Sequence, residues 1–312
     1  MAGYVWLNHK LQFQIGPIQL RIEPQSSIKM VAKSITQGGV NVQPQLLYWW
    51  FRLSGQSKNV KSGSYQLNQG LTPITLLQKL VKGDQILKAV TFVEGWNFTQ
   101  IRNALVNAED LKPDSKDFSV QELMKKVTNQ DINAEGRFFP DTYLYSPGDS
   151  DLVILRKAYD LMQVKLNQAW AARASDSPLK STDELLILAS IVEKETGMAN
   201  DRAMIAGVFS NRLSLGMLLQ TDPTVIYGMG TEFTGDLKRE HLRKDTPWNT
   251  YTRIGLPISP ICMPGEKALI AAATPAKTDA LFFVSRGDGS SEFSVNLKQH
   301  NQAVNKYQRN RK

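Results

Sequence analysis

One stretch, STDELLILASIVEKETG from Ser181 to Gly197, constrains the fold more than any other part of the chain. Ser181 and Glu184 have the S-x-x-E spacing of a capping box, Asp183 and Glu184 suit the positive start of a helix, and Gly197 is a natural stop. At about 100° per residue such a helix sets Leu188, Ile191, Val192, Leu185 and Ile187 within roughly 80° of Glu195. Glu195 therefore falls in the middle of an apolar stripe that must be buried. Glu193 is expected on the opposite, more solvated side with Ser190, Lys194 and Leu186.

Two effects then act on Glu195 in one direction. Burial disfavours its charged form, and the last turn of a helix sets a carboxylate against the negative end of the macrodipole. A carboxylic acid that keeps its proton is what a general acid requires, and glycosidic cleavage is the commonest chemistry to use one. The residues alone leave open an ordinary end-of-helix glutamate that reaches water or pairs with Lys194. A glycosidase normally needs a second carboxylate, and Asp222 in Gln220-Thr221-Asp222-Pro223-Thr224 is the best candidate, although it also reads as a turn residue before proline.

Other chemistries lack their parts. His9, His241 and His300 fit no metal-ligand spacing, and the single cysteine, Cys262, supplies neither a disulfide nor a multi-cysteine site. There is no Ser-His-Asp pattern in context and no glycine-rich phosphate or dinucleotide loop, so neither metal nor cofactor is expected.

With 312 residues and 42% apolar content, the chain has material for about two domains. No run approaches the roughly 18 apolar residues that cross a bilayer, and Met1 to Phe13 has no signal-peptide core. Residues 1–90 carry ten Lys/Arg against Glu23 and Asp84, which accounts for the whole net charge of +8. We therefore expect a basic module over 1–90, suited to an anionic partner, and a neutral domain over 91–312. No basic cluster is dense enough for a nucleic-acid arm, so no nucleic-acid partner is expected. IQLRIE alternates as a strand, SSIKMVAKSITQGG and QPQLLYWWFRL read as helices, and SGSYQL and PITLLQKLVKG follow as a strand and a short helix. Later, a strand-like ILKAVTFVEG precedes a helix over FTQIRNALVN. A long helix covers about Asp151 to Ala174, and LFFVS and EFSVN flank an Asp-Gly turn as a C-terminal β-hairpin. The class is α+β, with helices predominating in the middle.

Read together, ASIVEKET (Ala189 to Thr196), VFSNRLSLGMLLQTDPTVIYGMG (Val208 to Gly230), PWNTYTRIGLPISPI (Pro247 to Ile261), ATPAKTDALFFV (Ala273 to Val284) and NLKQHN (Asn296 to Asn301) resemble the endolytic murein transglycosylases of the MltG (YceG-like) family, with VEGWNF and EGRFFPDTYLY fitting upstream. The resemblance implies an enzyme that cuts nascent peptidoglycan glycan strands internally between N-acetylmuramic acid and N-acetylglucosamine. Its catalytic acid matches Glu195. In that chemistry one carboxyl protonates the leaving oxygen and then accepts the proton of the muramoyl C6 hydroxyl, which closes a 1,6-anhydro ring, so a second carboxylate is dispensable. The resemblance further implies a LysM-like glycan-binding first module, peptidoglycan synthases (penicillin-binding proteins) as partners, and a place on the periplasmic face of the inner membrane. The family's N-terminal membrane anchor is not seen in this sequence.

By motif, Gln220, Thr221, Asp222 and Tyr227 are expected on the loop after the helix that follows Glu195, and Asn249, Thr250 and Tyr251 beside them, as substrate-binding residues. His300 and Asn301 are weaker nominees, with a helix start as their plainer reading. Phe138, Phe139 and Tyr143 fit a groove wall or a core cluster equally. Two rivals stay open: a muramidase-type hydrolase using Glu195 with Asp222, and a non-catalytic cell-wall-binding scaffold.

Overall fold

The computed structural model describes residues 2–195 and 198–309. The expected helix stop at Gly197 lies outside them. The chain forms two compact units. One takes Met1–Val90, Leu105–Asp114 and Tyr143–Asp151; the other takes Thr91–Ala104, Ser115–Thr142 and Leu152–Lys312.

The first unit begins with α1 (Ala2–Asn8), β1 (Gln12–Phe13), β2 (Ile18–Ile22), α2 (Ile28–Gln37), β3 (Val40–Asn41) and α3 (Pro44–Leu53). It continues through β4 (Gly63–Leu67) and α4 (Pro73–Lys82) to β5 (Lys88–Thr91), whose last residue belongs to the other unit. Local chemistry sets these bounds. The Ser27 hydroxyl caps α2 by accepting from the Met30 N–H at 3.3 Å, and Gly83, at φ 75°, ends α4 in the left-handed region that costs glycine nothing. β2 pairs antiparallel with β4, Leu20 opposite Tyr65 and Ile18 opposite Leu67. The alternation of IQLRIE thus buries Leu20 and Ile22 against Val31, Ile35, Leu47, Phe51 and Leu76. Fully burying each such side chain contributes about 1.5–3 kcal/mol. Tyr65 is also buried, and its hydroxyl donates to the Lys61 carbonyl at 2.7 Å.

Further along come α5 (Phe98–Val106), α6 (Val120–Thr128), β6 (Thr142–Tyr145), α7 (Asp151–Ala171), α8 (Thr182–Glu195), α9 (Ala199–Ser214) and α10 (Asp222–Met229). They are followed by α11 (Arg239–Arg243), α12 (Glu266–Ala273), β7 (Phe282–Ser285), β8 (Ser291–Ser294) and α13 (Leu297–Val304). The hairpin expectation holds: β7 and β8 pair antiparallel from Phe282–Ser294 to Ser285–Ser291. α6 carries a capping box, Ser119 with Glu122, and buries Leu123, Met124 and Val127.

α8 is the axis of the second unit. Every residue from Leu185 to Val192 is buried, because α9 and α12 both pack on it. The face with Leu186 and Ser190 is therefore not solvated: Ala268, Ala271 and Ala272 of α12 share its core, and small side chains let helices approach closely. The Ser190 hydroxyl donates to the Ile187 carbonyl at 2.7 Å and accepts from the Ile261 N–H at 3.0 Å, which ties PISPI to the middle of α8. Glu193 is correspondingly half-buried and accepts from the Gly265 N–H at 3.0 Å; burial pushes its carboxyl up from the ordinary range. At the helix start the Glu184 N–H donates to the Ser181 hydroxyl, but the Glu184 carboxylate accepts from Lys180 rather than from Ser181.

Candidate active site

α8 delivers Glu195 to the wall of a cleft of about 640 Å3 in the second unit. The cleft is also lined by Arg212 of α9, Gln220 and Asp222 at the start of α10, Tyr251, Phe282 and Phe283 of β7, and His300 of α13. Glu195 is half-buried, and Lys194 turns away from it toward the Gly95 carbonyl at 3.4 Å. The Thr221 hydroxyl donates to Glu195 Oε1. Burial pushes the Glu195 carboxyl above the ordinary range; the Thr221 bond opposes that, the Asp222 charge adds to it, and the Arg212 charge opposes it.

The α9–α10 connection aims these groups. Pro223, in the first turn of α10, has a fixed φ already suited to a helix start. Asp222 and Tyr227 consequently sit on a helix, not on the expected loop. Gln220 adopts φ 49°, a left-handed conformation unusual for its type, and its N–H donates to the Thr250 carbonyl at 3.0 Å. The next residue, Thr221, is buried and donates its N–H to the Thr250 hydroxyl at 3.1 Å. Thr250 thereby holds the bend that presents Gln220 and Thr221.

The seven nominated substrate residues divide. Gln220 and Asp222 line the cleft with Tyr251, whose hydroxyl donates to Asp222 Oδ1 at 2.5 Å, while Thr221 reaches Glu195 from beneath. Asn249 and Thr250 are fully buried, and Asn249 spends its side chain on the Leu242 and Lys244 carbonyls and the Tyr251 N–H. They shape the loop instead of lining the cleft, because buried backbone groups need partners. Tyr227 lies elsewhere: its hydroxyl donates to Glu135 Oε2 at 3.1 Å in a separate cavity.

Of the weaker nominees, His300 lines the cleft, its ring stacked on Phe282 with centroids 5.2 Å apart, and burial pushes its imidazole down from the ordinary range. Asn301 is exposed and not in the lining. Phe138 and Phe139 are core residues, Phe138 stacked on Phe98 at 5.4 Å, and Tyr143 is buried within the first unit.

Two groups escape sequence reasoning. Arg212 is a buried cation whose Nε and Nη1 donate to the Leu281 and Leu219 carbonyls at 2.7 and 2.8 Å. Glu135 is 5% exposed, and burial pushes its carboxyl to about 7. The glycine after it was the available signal. Gly136 has φ 78°, and a Cβ there would lie 2.5 Å from Pro260 Cβ, so only glycine admits the turn that buries the acid.

Fold and cleft together define an α+β protein whose central helix ends in a carboxyl disposed to keep its proton, facing a groove of ligand size. The chain belongs to the YceG-like family, whose model matches residues 20–306. A Bacillus subtilis (strain 168) protein named endolytic murein transglycosylase is 32% identical over 308 residues, covering 93% of this chain and 84% of that protein. A Streptococcus pneumoniae (strain D39) protein of the same name is 25% identical over 312 residues. The match takes in 89% of this chain but only 56% of that relative's length. A crystal structure of a YceG-like protein from Listeria monocytogenes is 28% identical, with a TM-score of 0.57 over 92% of this chain and 98% of that one.

Proposed function

We propose that this chain is a peptidoglycan lytic transglycosylase that cuts glycan strands internally at the N-acetylmuramic acid–N-acetylglucosamine bond, with Glu195 as its acid and then its base. The observation that carries the reading is the half-buried Glu195 carboxyl, held toward its protonated form on the wall of a cleft about 640 Å3 in volume. The names of the relatives support the substrate class.

Glu195 gives its proton to the glycosidic oxygen as the bond to the anomeric carbon breaks, and the amino-sugar leaving group departs with a free hydroxyl. Positive charge grows at the anomeric carbon, beside the Asp222 carboxylate. Now ionised, Glu195 is stabilised by the Thr221 hydroxyl and the Arg212 charge, the same two influences that oppose its raised pKa. It then accepts the proton of the muramoyl C6 hydroxyl, whose oxygen bonds to the anomeric carbon and closes the 1,6-anhydro ring. The carboxyl ends protonated, as it began, and no water is consumed.

A second reading, hydrolysis with Asp222 activating a water, is favoured by one observation: Asp222 is exposed in the same cleft as Glu195. Glycan binding by the basic first unit, an association with peptidoglycan synthases and a location at the outer face of the inner membrane belong to the same proposal. Among the described residues no helix is long and apolar enough to cross a membrane. Glu195→Gln tests the acid: strand cleavage falls about 10²- to 10⁴-fold with the melting temperature unchanged. Full activity in that variant refutes it.

A further inference from the structure

A second cavity, of about 790 Å3, borders another face of α10 within the second unit. Pro223, Ile226 and Tyr227 have i, i+3, i+4 spacing, so they form one stripe of α10, and that stripe, with Gly230 just past the helix end, is one wall. Neighbouring residues serve the two cavities: Glu195 and Asp222 line the first, Lys194 and Pro223 the second. The end of α8 and the start of α10 therefore form walls common to both.

The lining has a definite chemistry. The rings of Tyr227 and Trp248 meet edge to face at 5.4 Å, with Phe233 beside them in the lining. Asn97 and Gln100 cap α5 with their side-chain oxygens, each accepting the other's backbone N–H at 2.9 Å. That leaves both side-chain NH2 groups without a hydrogen bond among the described residues. The hydroxyls of Thr99 and Thr231 are free in the same sense, and both residues are exposed. Glu135 offers little to a cation, because its oxygens already accept from the Phe98 N–H, at 3.1 and 3.2 Å, and from Tyr227. Among the described residues, Lys194 is the one other charged side chain in the lining. Aromatic rings beside uncharged amide and hydroxyl groups suit a neutral ligand rich in hydroxyls and N-acetyl groups. A charged peptide would find one cation and no free carboxylate among the described lining residues.

The geometry points to a second saccharide subsite, which takes an N-acetylated amino-sugar segment of the glycan strand that Glu195 cuts. This rests on the function proposed above. The subsite predicts that affinity grows with strand length and that the gain depends on this cavity. The test uses the full chain carrying Glu195→Gln, so that ligand survives, titrated calorimetrically with peptide-free amino-sugar oligomers of two lengths, a tetrasaccharide and a strand several times longer. Thr99→Trp and Thr231→Trp add bulk at exposed, unbonded positions. Each should weaken binding of the long oligomer roughly tenfold and leave the tetrasaccharide Kd and the melting temperature unchanged. If either tryptophan unfolds the protein, the double change Thr99→Ala with Thr231→Ala keeps the prediction, with a loss of about threefold. Long-oligomer affinity unchanged in the folded variants overturns the subsite, as does a loss seen only with strands that carry stem peptides. Failure of the otherwise unaltered protein to cut any glycan strand overturns the function itself, and the subsite with it.

Discussion

At Glu195 influences of opposite sign meet. Burial and the Asp222 charge hold the proton on, while the Thr221 hydroxyl and the Arg212 charge favour its loss. The proposed double role, in which one carboxyl gives up and regains a proton in each cycle, needs both. Thr221→Val removes a bond made to the ionised form, so the pKa rises further, and the alkaline limb of the pH–rate profile should move to higher pH as the rate falls. An unmoved alkaline limb would mean that Thr221 does not touch the carboxyl that titrates. Glu135 makes a separate prediction about stability. Its folded pKa of about 7 stands above the ordinary 4.5, so the folded state binds its proton more tightly than the unfolded chain does. The stabilisation is complete below pH 4.5 and is lost as pH rises through about 7. Glu135→Gln should remove a loss on the order of 3 kcal/mol across that window, measured by denaturant unfolding at several pH values. The sequence points to Glu195 because it lies on a helix, where a regular angle places it among Leu188, Ile191 and Val192. No such angle exists for Glu135, which sits in a loop and is buried by contacts remote in sequence.

Elements were legible where the signal was local. α2, α4 and the β7–β8 hairpin follow from a Ser cap, a terminal glycine and an Asp-Gly turn. α10 was harder, because Asp-Pro opens both turns and helices and only the packing of Thr224 and Val225 decides between them. α6 had its Ser119–Glu122 box in plain view, but the polar run before it masks the start. The burial of α8 on all sides was not legible, because no helical wheel shows that α12 covers the face of Leu186 and Ser190. This packing is testable. Leu188→Ala should cost about 2–5 kcal/mol of unfolding free energy, since α9 and α12 leave the site little room to collapse. Gly207→Ala in α9 should cost about 1–3 kcal/mol, because the added carbon would lie 2.6 Å from the Ala276 carbonyl oxygen and 2.9 Å from Thr278 Cγ2. Equal stability of Gly207→Ala and the parent protein would contradict that close approach.

For the molecule as a whole, charge and chemistry are separate. The surplus of +8 lies within residues 1–90, and the Glu195 carboxyl lies in the second unit. Lys29 and Lys33 are exposed one turn apart on α2, so replacing both by glutamate should weaken binding to isolated sacculi at low salt and flatten its salt dependence. Binding that is unchanged at every salt concentration would remove the electrostatic role of that surface. The family was legible from the motifs around Glu195, whereas the division of labour between Thr221, Thr250 and Asn249 needed their hydrogen bonds. Mass analysis of the products released from purified sacculi tests the use of Glu195 as both acid and base most directly. Strand ends lighter by one water, as 1,6-anhydro-muramoyl termini, are the predicted result; reducing ends carrying that water would instead assign Asp222 the base of a hydrolase.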